Sequence, residues 1–226
     1  MANIGATTLL RSSPLFRGLG DATLQRIVDL GANRTYAVDE TIYRQGDPGN
    51  ALYGVISGEV AISTYSKSGQ VLRLNAQLPG EITGEIALLD GGSRTATATM
   101  SQAGTLFVMN RAPLMNLLES EPKLAIRFIE LLCARIRWTS QLLEESAFFT
   151  VPERLSSRLL WLSRTSGIES GDGVRVRISQ SGLAQWLNVS RQVVNGYLQE
   201  WQGAGYLSLG RGAVTIVDPE AMESIR

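Results

Sequence analysis

The chain has no histidine, one cysteine and no net charge, its 21 Lys and Arg balancing 21 Asp and Glu in 226 residues. Each deficit removes a class of function. Without histidine there is no imidazole to act as general base, and the commonest side-chain ligand of zinc and of haem iron is missing. Cys133 alone can form no disulfide within the chain and no cysteine-rich metal site. Set in an apolar helical run, it reads as a packing residue. Most hydrolase and metalloenzyme chemistry is thereby excluded, so neither an enzyme nor a metal site is expected. Zero net charge provides no bulk attraction to a polyanion, and residues 151–226 carry eight arginines against seven carboxylates. Any such binding must rest on where charges are placed. Long apolar runs are also absent. Stretches such as Leu114–Leu118 and Phe128–Cys133 fall far short of a membrane span. Met1–Thr8 has no basic start followed by an apolar stretch, so a cytoplasmic chain with no membrane partner is expected.

Two textures are present. From about Asn33 to Met109 the spacing predicts short strands, among them Thr41–Arg44, Ala51–Ile56, Glu59–Thr64, Leu72–Gln77 and Ala96–Met100. Turn-rich segments separate them: Gln45–Asn50, Ser57-Gly58, Ser66–Gly69 and Leu78–Glu81. Many short strands at regular spacing imply a small β-barrel or jelly roll. From Pro113 onward the pattern is helical. Ser120-Glu121-Pro122 opens a helix running to about Ser146, on which Ile129, Leu132, Ile136, Thr139 and Leu143 recur at spacings of three and four. Leu124, Phe128, Leu131, Arg135 and Trp138 form a second stripe able to pack on the barrel. Two faces argue for two partners, so the first is expected to be a dimer seam. Phe148–Pro152 interrupts the pattern as a hinge. A polar loop over Ser163–Gly173 then leads to a strand at Val174–Ile178. Finally, Tyr206–Leu209 and Ala213–Val217 alternate around Gly210-Arg211-Gly212 as a two-stranded wing.

Between the loop and the wing, Ser179–Gln202 carries a helix-turn-helix pattern. Ala184 is the small residue where two helices cross, Asn188 tolerates a left-handed turn, and Leu183, Leu187, Val189, Val194 and Leu198 supply packing. Ser190 is a good N-cap for the second helix. Arg191, Gln192 and Asn195 then occupy the exposed start of that helix, where such helices meet base edges. Arginine suits guanine, and Gln or Asn can read adenine or contact phosphate. With Ser179 and Ser190 they are the candidate DNA-contacting residues.

The segment Pro79–Ala98 has a second pattern. Gly84 permits close backbone approach, and the short helix after it offers amide donors to an anion. Glu85 can accept a sugar hydroxyl, Arg94 can grip a phosphate with two prongs, and Thr95 adds a hydroxyl. Alone, each has a plainer explanation, since Glu85 and Arg94 could simply pair with each other and the glycines could be ordinary turns. Their order and β context favour a phosphate cassette.

These motifs, Arg44-Gln45-Gly46, Ser57–Val60, Gly84-Glu85-Ile86, Arg94-Thr95-Ala96, Thr139-Ser140 and Val189–Val194, resemble in order those of the Crp/Fnr regulators, particularly their cyclic AMP receptor branch. The resemblance covers Pro14 to the C-terminus. It implies an α+β fold: a cyclic-nucleotide-binding β-roll (a double-stranded β-helix or jelly roll) with flanking helices over 1–119, a long dimerisation helix over 120–147, and a winged helix-turn-helix over 148–226. It implies a cyclic-nucleotide-dependent transcription regulator that binds double-stranded DNA as a homodimer and contacts RNA polymerase. By the same resemblance Gly84, Glu85, Ile86, Arg94 and Thr95 hold the nucleotide's sugar and phosphate. Thr139 and Ser140 touch its base, one from each subunit. Two departures stand out. Gln192 and Gly196 replace the prototype's Glu and Arg, which leaves the target sequence open. Thr95 replaces a serine, which keeps cGMP open beside cAMP as allosteric effector. An effector-independent or other-effector regulator is the alternative, although one cysteine and no histidine argue against iron–sulfur or haem sensing.

Overall fold

The structure is a computed structural model that describes residues 4–225. It contains two compact units: Met1–Tyr65 with Leu74–Arg137, and Ser66–Arg73 with Trp138–Arg226.

The first unit begins with helices α1 (Ile4–Ser12) and α2 (Asp21–Asp29). Strands β1 (Gly31–Tyr36), β2 (Thr41–Tyr43), β3 (Ala51–Val55), β4 (Glu59–Tyr65), β5 (Val71–Gln77) and β6 (Ile82–Thr83) follow. After the short helix α3 (Glu85–Asp90) come β7 (Thr97–Gln102) and β8 (Gly104–Asn110). The strands form two four-stranded sheets, ordered β1-β8-β3-β6 and β2-β7-β4-β5. Tyr36, Val55, Val60, Ala98, Met100 and Leu106 make a core from strands of both sheets. A second core joins Leu52, Phe107 and Met109 to α1, α2 and the helices that follow, α4 (Arg111–Ser120) and α5 (Pro122–Phe148).

Strand β8 shows why sequence alternation alone does not single it out. Leu106 belongs to the inter-strand core while Phe107 and Met109 belong to the helix-side core. Both faces are buried, so its apolar residues run together instead of alternating. Strand β1, by contrast, is mostly exposed and polar, and is held by pairing along its whole length with β8.

Helix α5 divides its faces as its two stripes predict. Leu124 and Phe128 are buried in the helix-side core, with Leu131 packed against it. Ile129, Ile136 and Leu143 are 59%, 66% and 71% exposed, respectively, with Leu132 half-buried among them, so an apolar row spaced at seven residues remains exposed on α5.

In the second unit, α6 (Val151–Ser166) is separated from α5 by Phe149 and Thr150. The Thr150 backbone N–H and its hydroxyl both donate to Glu153 Oε2, at 2.5 and 2.6 Å, so the helix start is satisfied internally. This bonding holds the Glu153 carboxyl below its usual range. The expected loop over Ser163–Gly173 is more ordered than its polar composition implies. Helix α6 continues to Ser166, and β9 (Ile168–Ser170) pairs with β10 (Gly173–Val176). Strand β9 is exposed throughout, so its ladder partner sustains it and burial does not. Helices α7 (Gln180–Leu187) and α8 (Arg191–Gly203), strands β11 (Leu207–Gly210) and β12 (Ala213–Ile216), and α9 (Pro219–Glu223) complete the chain. Arg158 of α6 is buried between the rings of Trp138 and Trp186, 5.1 and 4.7 Å from their centroids, and pairs with Glu145 at 3.4 Å. That contact ties the last turns of α5 to α6 and α7. Among the described residues, no helix is long and apolar enough to cross a membrane.

Candidate functional site

Gly84 ends β6 and caps α3 in the left-handed region, with φ 85°. A side chain there would be strained, and its Cβ would lie 2.5 Å from Arg94 Nη1. The glycine therefore lets Arg94 reach inward. Arg94 is 4% exposed; it donates from Nη1 to Gly84 O at 2.8 Å and from Nη2 to Ala51 O at 2.7 Å. Its guanidinium lies 4.2 Å from the ring centre of Tyr43 and 5.7 Å from that of Tyr53. Its Nε is buried without a hydrogen-bond partner, and no carboxylate pairs with Arg94 among the described residues. Carbonyl dipoles and ring faces solvate this cation, and no described side chain neutralises it. Burial without a counter-charge is costly, and a bound anion would offset that cost.

The plainer pairing of Glu85 with Arg94 is not what forms. Glu85, 4% exposed, pairs through Oε1 with Arg135 Nε at 3.2 Å. Arg135 also donates from Nη2 to Gln77 Oε1 at 2.8 Å and to Ile82 O at 2.9 Å. Arg135 thus bridges α5, β5, β6 and the cassette. Beneath them, Tyr43 and Thr83 share a 2.5 Å hydroxyl hydrogen bond. Burial pushes the Tyr43 phenol up to about 12, against the smaller opposing effect of that bond. Ile86 and Thr95 are exposed at the edge of the cassette. Thr139 and Ser140 are exposed on α5, in the second compact unit, while the cassette belongs to the first.

Helical spacing puts Arg135 in the packing stripe of α5, and nothing in its local sequence marks it as a residue of this site. The available signal is the general one of a charged residue within an otherwise apolar stripe, because a partly buried arginine needs an acidic or carbonyl partner.

The second candidate surface lies in the other unit. Ser179 caps α7 by accepting from Gly182 N at 3.0 Å, and Ser190 caps α8 by accepting from Val193 N at 3.3 Å. Each hydroxyl still has its own proton to donate. Asn188 ends α7 with φ 53° and ψ 46°, the left-handed turn its residue type permits. Leu183, Ala184, Leu187, Val194 and Leu198 are buried, locking α8 to α7. Arg191 and Gln192 are exposed at the start of α8, and Asn195 is half-buried one turn later. Gln180, which no local sequence pattern marks, bonds to both Arg191 and Asn195. The wing closes through a two-residue turn, Arg211-Gly212, between β11 and β12. Ser179, Gln180, Arg191, Gly210 and Gly212 line a cleft between α7 and this turn.

Comparison with known proteins matches residues 33–121 to the cyclic nucleotide-binding domain and residues 153–225 to the Crp-like helix-turn-helix domain. The chain is 31% identical over 216 residues to the cyclic AMP receptor protein of Thermus thermophilus, covering 96% of this chain and 98% of that one. It is 27% identical over 216 residues to a CRP-like cAMP-activated global transcriptional regulator of Mycobacterium tuberculosis, covering 95% and 96% of the two chains. In fold it is similar to the c-di-GMP-responsive global regulator CLP of Xanthomonas campestris, with a TM-score of 0.79 at 24% identity, covering 87% of this chain and 99% of that one.

Proposed function

The chain belongs to the Crp/Fnr family of DNA-binding transcription regulators, and from that premise we propose that cAMP, with cGMP as the rival ligand, occupies its cassette and controls DNA binding by a homodimer. The family is one of regulators and not of enzymes, and this chain carries both its cyclic nucleotide-binding domain and its helix-turn-helix.

The observation that carries the effector reading is Arg94, a buried cation beside a left-handed glycine with no counter-anion among the described residues. A cyclic phosphodiester supplies one negative charge and acceptor oxygens of the kind a guanidinium grips. Glu85 would accept the ribose hydroxyl, with Arg135 orienting it, and Thr95 would add a hydroxyl donor. Thr139 and Ser140 are the candidates for base contact. Thr95, exposed at the cassette edge, is the reason to keep guanine in play. In the DNA-competent dimer, two α8 helices would stand about 34 Å apart and enter successive major grooves of a pseudo-palindrome. Ser179, Ser190, Arg191, Gln192 and Asn195 would make the contacts there. A transcription regulator acts where RNA polymerase does, so the reading extends to a cytoplasmic protein that contacts RNA polymerase.

Calorimetric titration of the full chain with cAMP and cGMP tests the effector. One of them should bind, and Arg94→Lys should weaken it at least about tenfold, because a lysine ammonium loses the two-pronged contact. Heat from neither nucleotide overturns the effector claim. Gel shifts on duplex DNA over a salt series test the other half. Affinity should fall steeply with salt as phosphate-bound counterions are released, and should rise with the nucleotide that binds.

A further inference from the structure

We propose that Gln180 fixes which way the Asn195 amide faces, making Asn195 a hydrogen-bond donor to DNA that selects guanine or thymine over adenine. The inference rests on the DNA-binding reading above and deepens it by naming the base chemistry that one residue reads.

Gln180 is the first residue of α7 and half-buried. Arg191 and Asn195 lie four residues apart on α8, and therefore on the same side of that helix. One glutamine on the crossing helix reaches both. Arg191 Nε donates to Gln180 Oε1 at 3.4 Å, and Gln180 Nε2 donates to Asn195 Oδ1 at 3.0 Å.

The polarity of this relay follows from its arginine end. A guanidinium only donates, so the glutamine must turn its oxygen toward Arg191. Its amide nitrogen is then the group facing Asn195, and Asn195 must answer with its oxygen. Reversing either amide would set N–H against N–H. The free end of Asn195 is therefore Nδ2, a pair of donors. Reading adenine requires an asparagine to accept from N6–H at Oδ1 while donating to N7. Here Oδ1 is already committed to Gln180. Guanine, with O6 and N7, and thymine, with O4, present acceptors that fit a donor, whereas adenine offers N7 alone beside an N6 amino group that opposes a second N–H, so it is the weaker partner. Spending Nε on the relay also leaves Arg191 its two terminal nitrogens, an end-on fork that suits guanine. Gln180 acts through Asn195 and is a positioning residue. Residue type alone leaves Asn195 able to read adenine or to contact phosphate; the relay favours a donor contact.

The test is selection of bound sequences from a random duplex library by the full chain at low salt, with and without cAMP. The position read by Asn195 is the one whose preference disappears in Asn195→Ala. In the unsubstituted protein that position should favour guanine or thymine. In Gln180→Glu the carboxylate only accepts, so it still takes the Arg191 N–H but forces the Asn195 amide to turn its nitrogen inward. Oδ1 then faces the DNA, and the preference should swing roughly tenfold toward adenine or cytosine, whose amino groups donate. The added negative charge weakens binding to every sequence alike, so the base ratio and not the affinity is read. Gln180→Leu, which cannot hold either orientation, should flatten the preference without inverting it. An unchanged base ratio in Gln180→Glu, or an Asn195→Ala profile identical to the unsubstituted one, overturns the inference alone. An unsubstituted chain that enriches no sequence overturns the DNA reading and takes the inference with it.

Discussion

Glu85 Oε1 lies 3.2 Å from Arg135 Nε, so the carboxylate at the start of α3 is held by α5, from 50 residues along the chain. The Glu85 side chain is nearly inaccessible and that of Arg135 is 24% exposed. The cassette and the helix that carries the exposed apolar row therefore share one ion pair. Any ligand that takes up a Glu85 lone pair acts on a group already bonded to that helix.

Removing the cation alone should be costly. Arg135→Met leaves a buried carboxylate without its partner and frees Gln77 Oε1 and Ile82 O, so a loss of about 2–3 kcal/mol is expected. The double variant with Glu85→Gln should lose less than the sum of the two single changes, because the orphaned charge is gone. Urea unfolding followed by circular dichroism measures both. A loss below about 0.5 kcal/mol, the scatter of ordinary surface substitutions, would mean that the pair contributes nothing to stability.

The uncovered row on α5 predicts assembly. If a second copy covers Ile136 and Leu143, then Ile136→Glu with Leu143→Glu places charges opposite apolar partners on both sides of the seam. The dissociation constant should rise by at least about 100-fold, since each buried aliphatic side chain is worth about 1.5–3 kcal/mol. Sedimentation equilibrium reads this directly. A monomeric unsubstituted chain at micromolar concentration would remove the homodimer.

Alkaline pH should loosen the first unit through Tyr43. Its folded phenol titrates near 12, raised mainly by burial, while an unfolded tyrosine titrates near 10. Between those values the unfolded chain has released a proton that the folded chain keeps. Stability is therefore fully present below about pH 10 and falls as pH climbs toward 12, by about 2–3 kcal/mol in all. Tyr43→Phe should remove this part of the alkaline slope, at the cost of the hydroxyl bond to Thr83. Chemical unfolding at a series of pH values separates the slope from the offset.

Gly196 should be replaceable at a gain. It lies inside α8, and a Cβ built there meets nothing within 4 Å. Gly196→Ala should then stabilise the second unit by about 0.5–1 kcal/mol, because alanine loses less backbone entropy on entering a helix. Thermal unfolding watched by tryptophan fluorescence suits the measurement, since Trp138, Trp161, Trp186 and Trp201 all belong to that unit. A destabilised variant would show that the position needs a bare backbone.

Much of the local architecture is legible in the residues. Asn188 between two helical patterns specifies a left-handed turn, and Ser190 ahead of Arg191 specifies a helix start. Both forms of evidence act over a few residues, so no distant contact is needed to interpret them. The apolar stripes of α5 are legible for the same reason, because helical period alone assigns them to two faces. Strand β8 lacks such a signature, since burial on both faces erases alternation. The polar run after α6 concealed β9, which exists only because β10 is beside it. Local residue patterns thus specify the kind of most elements, their caps and the two faces of α5, but not β9. Tertiary structure alone decided which charged and polar groups meet. Arg94 faces two carbonyls and two tyrosine rings, Glu85 takes Arg135, and Gln180 bonds to Asn195. These pairings join side chains from different elements, and their hydrogen-bond directions depend on angles and distances that exist only once the elements have packed.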